Sequence, residues 1–205
     1  MKAPYAEVIG LTKGLAKIYN AYSSVDTVMD QTLKDMISRA PGKIASAVTW
    51  MYGVKKSEIR YKKGFEKKSI GTIKLQGADL SSAEFIYQGR VLTPLHFSMT
   101  PKERPRDKKK YKVYAKIKKR RKAFSIVPTA SASNGIFLAP ASKSSTVIPW
   151  FRYSEDRFDI APIKTLSLPQ MVDNKLVKKQ IYKDVGELFH KRLDHHLARH
   201  LKKAL

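Results

Sequence analysis

Cysteine is absent from all 205 residues, which excludes disulfides, thiolate zinc sites and cysteine nucleophiles together. Stability must therefore come from packing or assembly. Acidic residues are scarce: 17 Asp and Glu stand against 41 Lys and Arg, a formal net charge of +24 and a sequence pI near 10.1. With so few carboxylates, paired acids for acid-base or two-metal chemistry arise only through folding. The one dense acidic group is Glu155, Asp156 and Asp159, read as a solvated turn opposing basic neighbours. Long apolar runs are missing too. From Met1 to Gly14 the apolar stretches are broken by Lys2, Glu7, Thr12 and Lys13, so neither a signal peptide nor a membrane span is expected, and the chain reads as made and kept in a cytoplasm. No Gly-rich loop leads into Lys and Ser or Thr, and Gly53, Gly64, Gly71, Gly77 and Gly89 are too scattered for a dinucleotide site. These absences point away from an enzyme, and no cofactor is expected.

What is present suffices to fold. The hydrophobic share of 42% and aromatic share of 10% are those of a globular chain, and the length suits one domain spanning 1–205. Steps of three and four at Val8, Leu11, Leu15 and Ile18 predict a helix over 5–21. A second helix follows through Val25, Val28, Met29, Leu33, Met36 and Ile37, ending at Ala40-Pro41-Gly42, and a third runs over 43–54 with Trp50 off its apolar stripe. Ser57 can cap one further turn, within a helical region reaching residue 63. The period then falls to two in a β-rich region over 69–160, clearest where Tyr111, Val113, Ala115 and Ile117 alternate with Lys112, Tyr114, Lys116 and Lys118. Within it, 100–110 has two prolines and nothing large and apolar to bury, so an exposed basic loop is expected; Asn134-Gly135 suits a tight turn. Asp173 or Asn174 starts a long C-terminal helix over 173–203. The fold class is α+β: N-terminal helices, a central antiparallel β-sheet with a long basic loop, and a long C-terminal helix.

The strongest compositional signal is the basic run. Lys108, Lys109, Lys110, Lys112, Lys116, Lys118, Lys119, Arg120, Arg121 and Lys122 are opposed only by Glu103 and Asp107. Such a run contacts phosphates without reading bases, or an acidic protein surface; its plain alternative is a solvated face. Tyr111 falls with the apolar set, which weakens a base-stacking platform. His196 and His200 have the i, i+4 spacing of paired metal ligands, but no third ligand is evident and Lys191, Arg192 and Arg199 oppose a cation, so no metal is expected. Trp150 and Phe151 fit either the core or a partner anchor.

The order of short elements resembles the minor tail protein Z and tail-completion family of tailed phages. The matching pieces are Lys118 to Phe124 leading into a strand, Gly135 to Leu138, Ile148 to Arg152, Pro162 to Lys164, and Leu168 to Met171 with its Pro-Gln-Met, followed by the C-terminal helix. Ala40 to Lys63 is similar to the family's small-residue helix and basic segment. The resemblance implies a non-enzymatic structural virion protein, forming a homo-oligomeric ring, usually a hexamer, at the head-proximal end of the tail. Its implied neighbours are the tail terminator and the head-tail connector, with DNA in the lumen, no membrane, and assembly in the bacterial host cytoplasm. Lys108–Lys110, Lys116, Lys118, Lys119, Arg120, Arg121 and Lys122 then face DNA or an acidic partner, and Trp150, Phe151, Arg152, Pro169, Gln170 and Met171 form a partner interface. The rival reading is a non-virion protein that binds nucleic acid regardless of sequence.

Overall fold

The computed structural model describes residues 25–60, 69–105, 111–126, 135–141 and 145–204. The expected first helix and Lys108, Lys109 and Lys110 lie outside them. The described chain is α+β. Helix α1 (Val25–Met51) leads to a 3-10 turn and strand β1 (Ile59–Arg60). Strands β2 (Gly71–Gln76), β3 (Glu84–Gly89), β4 (Met99–Thr100), β5 (Tyr114–Ala115), β6 (Phe124–Ser125), β7 (Ile136–Pro140), β8 (Val147–Arg152) and β9 (Ile160–Pro162) follow. A short helix α2 (Leu168–Val172) then precedes the long helix α3 (Lys175–Ala204).

Where one central antiparallel sheet was expected, the strands form three small sheets, ordered β1-β2-β3, β4-β5-β6 and β7-β8-β9, and β1 pairs with β2 in parallel. The long alternating segment at 111–117 joins a ladder only at Tyr114 and Ala115, yet the alternation is obeyed: Val113 and Ala115 are buried, while Lys112, Tyr114 and Lys116 are exposed. Burial follows side-chain period even where the ladder stops.

Helix α1 corrects the expected break at Pro41. A proline inside a helix removes one backbone hydrogen bond and crowds the preceding turn. Here Met36, Ala40, Ile44 and Val48 are all buried at steps of four, so one apolar stripe runs past the proline in phase. Breaking the helix would expose half of it. Ser57 also caps nothing; the turn at Lys56–Glu58 is 3-10 and has no side-chain cap.

The chain divides into two compact units. One comprises Met1–Lys43, Lys74–Ile86 and Ile181–Leu205. Its core packs Leu33, Met36 and Ala40 of α1 with Leu75 and Leu188, flanked by Phe85 and Phe189. The other comprises Ile44–Ile73 and Tyr87–Gln180. There Met99, Val113 and Leu138 pack together, and Tyr111 joins them as expected, its hydroxyl accepting the Leu138 N–H at 2.8 Å.

The Pro-Gln-Met segment is an anchoring element of this second unit. The Ser167 and Gln170 side chains cap α2 reciprocally, Gln170 Oε1 accepting the Ser167 N–H at 2.8 Å. Leu168, fully buried, rests against Gly71 and Gly89: a Cβ at Gly71 would lie 2.7 Å from Leu168 Cδ2 and 2.4 Å from the Gln88 carbonyl oxygen. Those glycines admit the helix. Asn174, not Asp173, opens α3, its side chain accepting the Leu176 N–H at 3.1 Å. Asp173 instead meets Lys178 Nζ at 2.6 Å, whose hydrogen bond and charge hold the carboxyl below its ordinary range.

A candidate interface for nucleic acid or acidic partners

The basic turn at 118–122 is tied to the end of α1. Gly53 N–H donates to the Ile117 carbonyl and Lys119 N–H to the Met51 carbonyl, each at 2.9 Å, and Arg121 N–H closes the turn onto Lys118 at 3.1 Å. A Cβ at Gly53 would come within 3.1 Å of the Lys116 carbonyl oxygen, so glycine permits the close approach. The last turn of α1 has no basic residue of its own. Carbonyls at a helix C-terminus carry partial negative charge, and the turn brings cations to it. This accounts for where the turn sits; its exposed charge has no such use.

Lys119, Arg120, Arg121 and Lys122 are exposed one after another, Lys116 is exposed, and Lys118 is half-buried where its backbone bridges Tyr52. The Arg120 guanidinium lies over the Trp50 ring, 4.7 Å from its centroid, and Trp50 is itself 39% exposed. Sequence reasoning set Trp50 off the helix stripe but did not pair it with Arg120, 70 residues on. The result is a surface of cations with one flat aromatic, suited to phosphates or carboxylates. Tyr52 beside it is buried, which pushes its phenol above the ordinary value, with the Asn174 hydrogen bond opposing.

Ile117 and Phe124, at the two ends of this turn, help line an apolar cleft of about 680 Å³. Phe151, Tyr153, Pro162 and Lys164 contribute to its other walls. Phe151 and Tyr153 meet edge to face at 4.7 Å. Neighbouring Trp150 is half-buried and donates from Nε1 to the Ala139 carbonyl at 3.2 Å, while Arg152 reaches over the Phe137 ring at 5.7 Å. Of the other expected interface residues, Pro169 is half-buried, Gln170 reaches the surface with its side chain spent on the cap, and Met171 is fully buried in the core.

The acidic trio forms a braced turn. Ser154 Oγ donates to Asp159 at 2.6 Å and accepts the Asp156 N–H at 3.1 Å; Asp156 accepts the Phe158 N–H at 3.2 Å, and Tyr153 N–H donates to the Asp159 carbonyl at 2.9 Å. Phe158 at its tip is 83% exposed and was missed in sequence; its signal is an aromatic within Ser-Glu-Asp-Arg-Phe-Asp. In a second cleft His96 Nδ1 meets Glu58 Oε2 at 3.2 Å, a pairing 38 residues apart that no local pattern announces.

The C-terminal histidines meet α1. His196 Nε2 lies 3.1 Å from Asp35 Oδ2 and His200 Nε2 lies 3.3 Å from Gln31 Oε1, and Arg192 and Arg39 also approach Asp35, at 3.8 and 3.6 Å. The i, i+4 spacing thus matches an i, i+4 pair on the antiparallel partner. Among the described residues no group of three or more His, Asp or Glu side chains is placed to hold a metal ion, and no helix is long and apolar enough to cross a membrane. Comparison with known protein families, with curated proteins and with solved structures finds no match.

Proposed function

We propose that this chain is a non-enzymatic structural component of a phage or phage-like particle, a ring-forming tail-completion protein at the head-proximal end of the tail. The observation that carries the reading is the basic turn: Lys119 to Lys122 stand exposed on a hairpin fastened by its backbone to α1, with Arg120 stacked on Trp50. A fixed, sequence-blind positive surface suits a protein that borders passing DNA and contacts acidic neighbours. The ordered resemblance from Lys118 to Met171 supports the same role, and Ser167-Leu168-Pro169-Gln170 within it has a structural task as capping box and core anchor.

Charge reversal tests it. Lys119→Glu combined with Arg121→Glu leaves the fold intact, because both side chains are exposed, and blocks completion of infectious particles. Intact particle yield and infectivity with this variant would contradict the role. A salt-sensitive nanomolar affinity of the wild-type chain for free duplex or RNA, together with its absence from particles, would establish the free nucleic-acid binder instead.

A further inference from the structure

The turn that groups Glu155, Asp156 and Asp159 about Arg157 carries the most exposed aromatic among the described residues, Phe158 at 83%. Large aromatics that enter a partner's pocket are frequent interface anchors. Phe158 is held: its N–H is bonded to Asp156, the Ile160 N–H returns to its carbonyl at 2.8 Å, and Arg152 Nη1 reaches the Asp156 carbonyl at 3.4 Å. The tip therefore pays little ordering entropy on docking. It does not fill the cleft of its own chain, being almost wholly exposed.

That cleft is the complementary surface. At about 680 Å³ it is apolar inside and exceeds one aromatic side chain, and half-exposed Phe124 stands at its wall. The basic turn at 118–122 connects two of the cleft's lining residues, Ile117 and Phe124, and Lys164 lines it directly. Edge strand β9 borders the cleft but is blunted by Pro162, which has no N–H, so an added β-strand is disfavoured and a side-chain anchor fits better.

We propose that the braced turn of one copy, with Phe158 as anchor and Glu155, Asp156 and Asp159 around it, docks into the cleft of a second copy beneath the basic turn. This rests on the ring-forming reading and names its self-contact. Each copy carries both knob and cleft, which adjoin at Tyr153, so the contact can be made reciprocally or repeated from copy to copy. Opposite charge at the contact offsets the repulsion between copies that the net charge imposes.

The cysteine-free sequence makes the test direct. Arg157→Cys, beside the anchor, and Lys164→Cys, at the cleft, both exposed positions that leave Phe158 and Phe124 in place, are made as separate variants of the full chain, one enlarged by a tag, mixed at low salt and treated with a short bismaleimide. The mixed product is expected to dominate over both like-with-like products and to fall in high salt. Phe158→Ala should weaken self-association at least about tenfold, with circular dichroism and Tm unchanged. Pairing Glu155→Lys with Lys119→Glu should restore association that each alone reduces. No mixed product, or equal yields of all three, overturns the proposal, and so does Phe158→Ala association at the wild-type level. Because these readouts use the purified chain, they fail independently of the chain's presence in particles.

Discussion

Asp79 shows how much one exposed side chain can organise. It receives the Ser81 hydroxyl and the Ser82 N–H, each at 2.7 Å, and these bonds with Ser82 Oγ hold its carboxyl at about 2 against an ordinary 3.8. A depressed carboxyl stabilises the fold above the unfolded value and loses that contribution as pH falls through the folded one. Asp79→Asn should therefore lower unfolding stability at neutral pH, with the gap to wild type closing between pH 4 and pH 2 in urea titrations. Gly71 is constrained from the opposite direction. Its missing side chain is the space that Leu168 and the Gln88 carbonyl occupy, so Gly71→Ala should cost about 1–3 kcal/mol by the same titration. Neither role was legible beforehand. Gly71 read as one of several scattered glycines, because the contacts that require it, from Gln88 on the paired strand and from Leu168 almost a hundred positions away, arise only on folding.

Elements were legible where a period persisted and illegible where tertiary contact decided. Val28, Leu33 and Met36 of α1 and Val177, Ile181 and Leu188 of α3 are buried as spacing predicts, with the alternation at 111–117 and the cap at Asn174. Met29, Ile37, Leu197 and Leu201 are instead exposed, and His196 is buried where tertiary contact with Asp35 decides. The predicted stop at Pro41 failed because local propensity was weighed without the in-phase burial on both sides of it. Division of the strands into three sheets depends on long-range pairing, which alternation does not encode. Helix α2 had a readable signature in Ser167 and Gln170; Ser167→Ala should cost about 1 kcal/mol in chemical denaturation. Between α1 and α3, Asp35 serves His196, Arg192 and Arg39 together. Removing that acceptor strands buried donors, so Asp35→Ala should cost about 1–3 kcal/mol, measured likewise.

For the whole molecule, charge is the organising quantity. Composition alone led to the expectation of a polyanion or acidic partner, and the structure places the basic run on one turn with Lys116 and Lys119 to Lys122 exposed and Lys118 half-buried. What the run could not disclose was its support: Trp50 under Arg120, the end of α1 beneath the turn, and the apolar cleft between its ends are all products of folding. Trp150, Phe151 and Arg152 were singled out in sequence, yet the most exposed aromatic among the described residues is Phe158, seven residues beyond Phe151. The proposed role in a particle would use together the exposed basic turn, the exposed Phe158 and the apolar cleft. Quantitative mass spectrometry of purified particles from the source, counting this chain against the portal protein, tests that most directly. The account predicts a fixed low copy number matching one ring; absence of the chain from intact particles would contradict it.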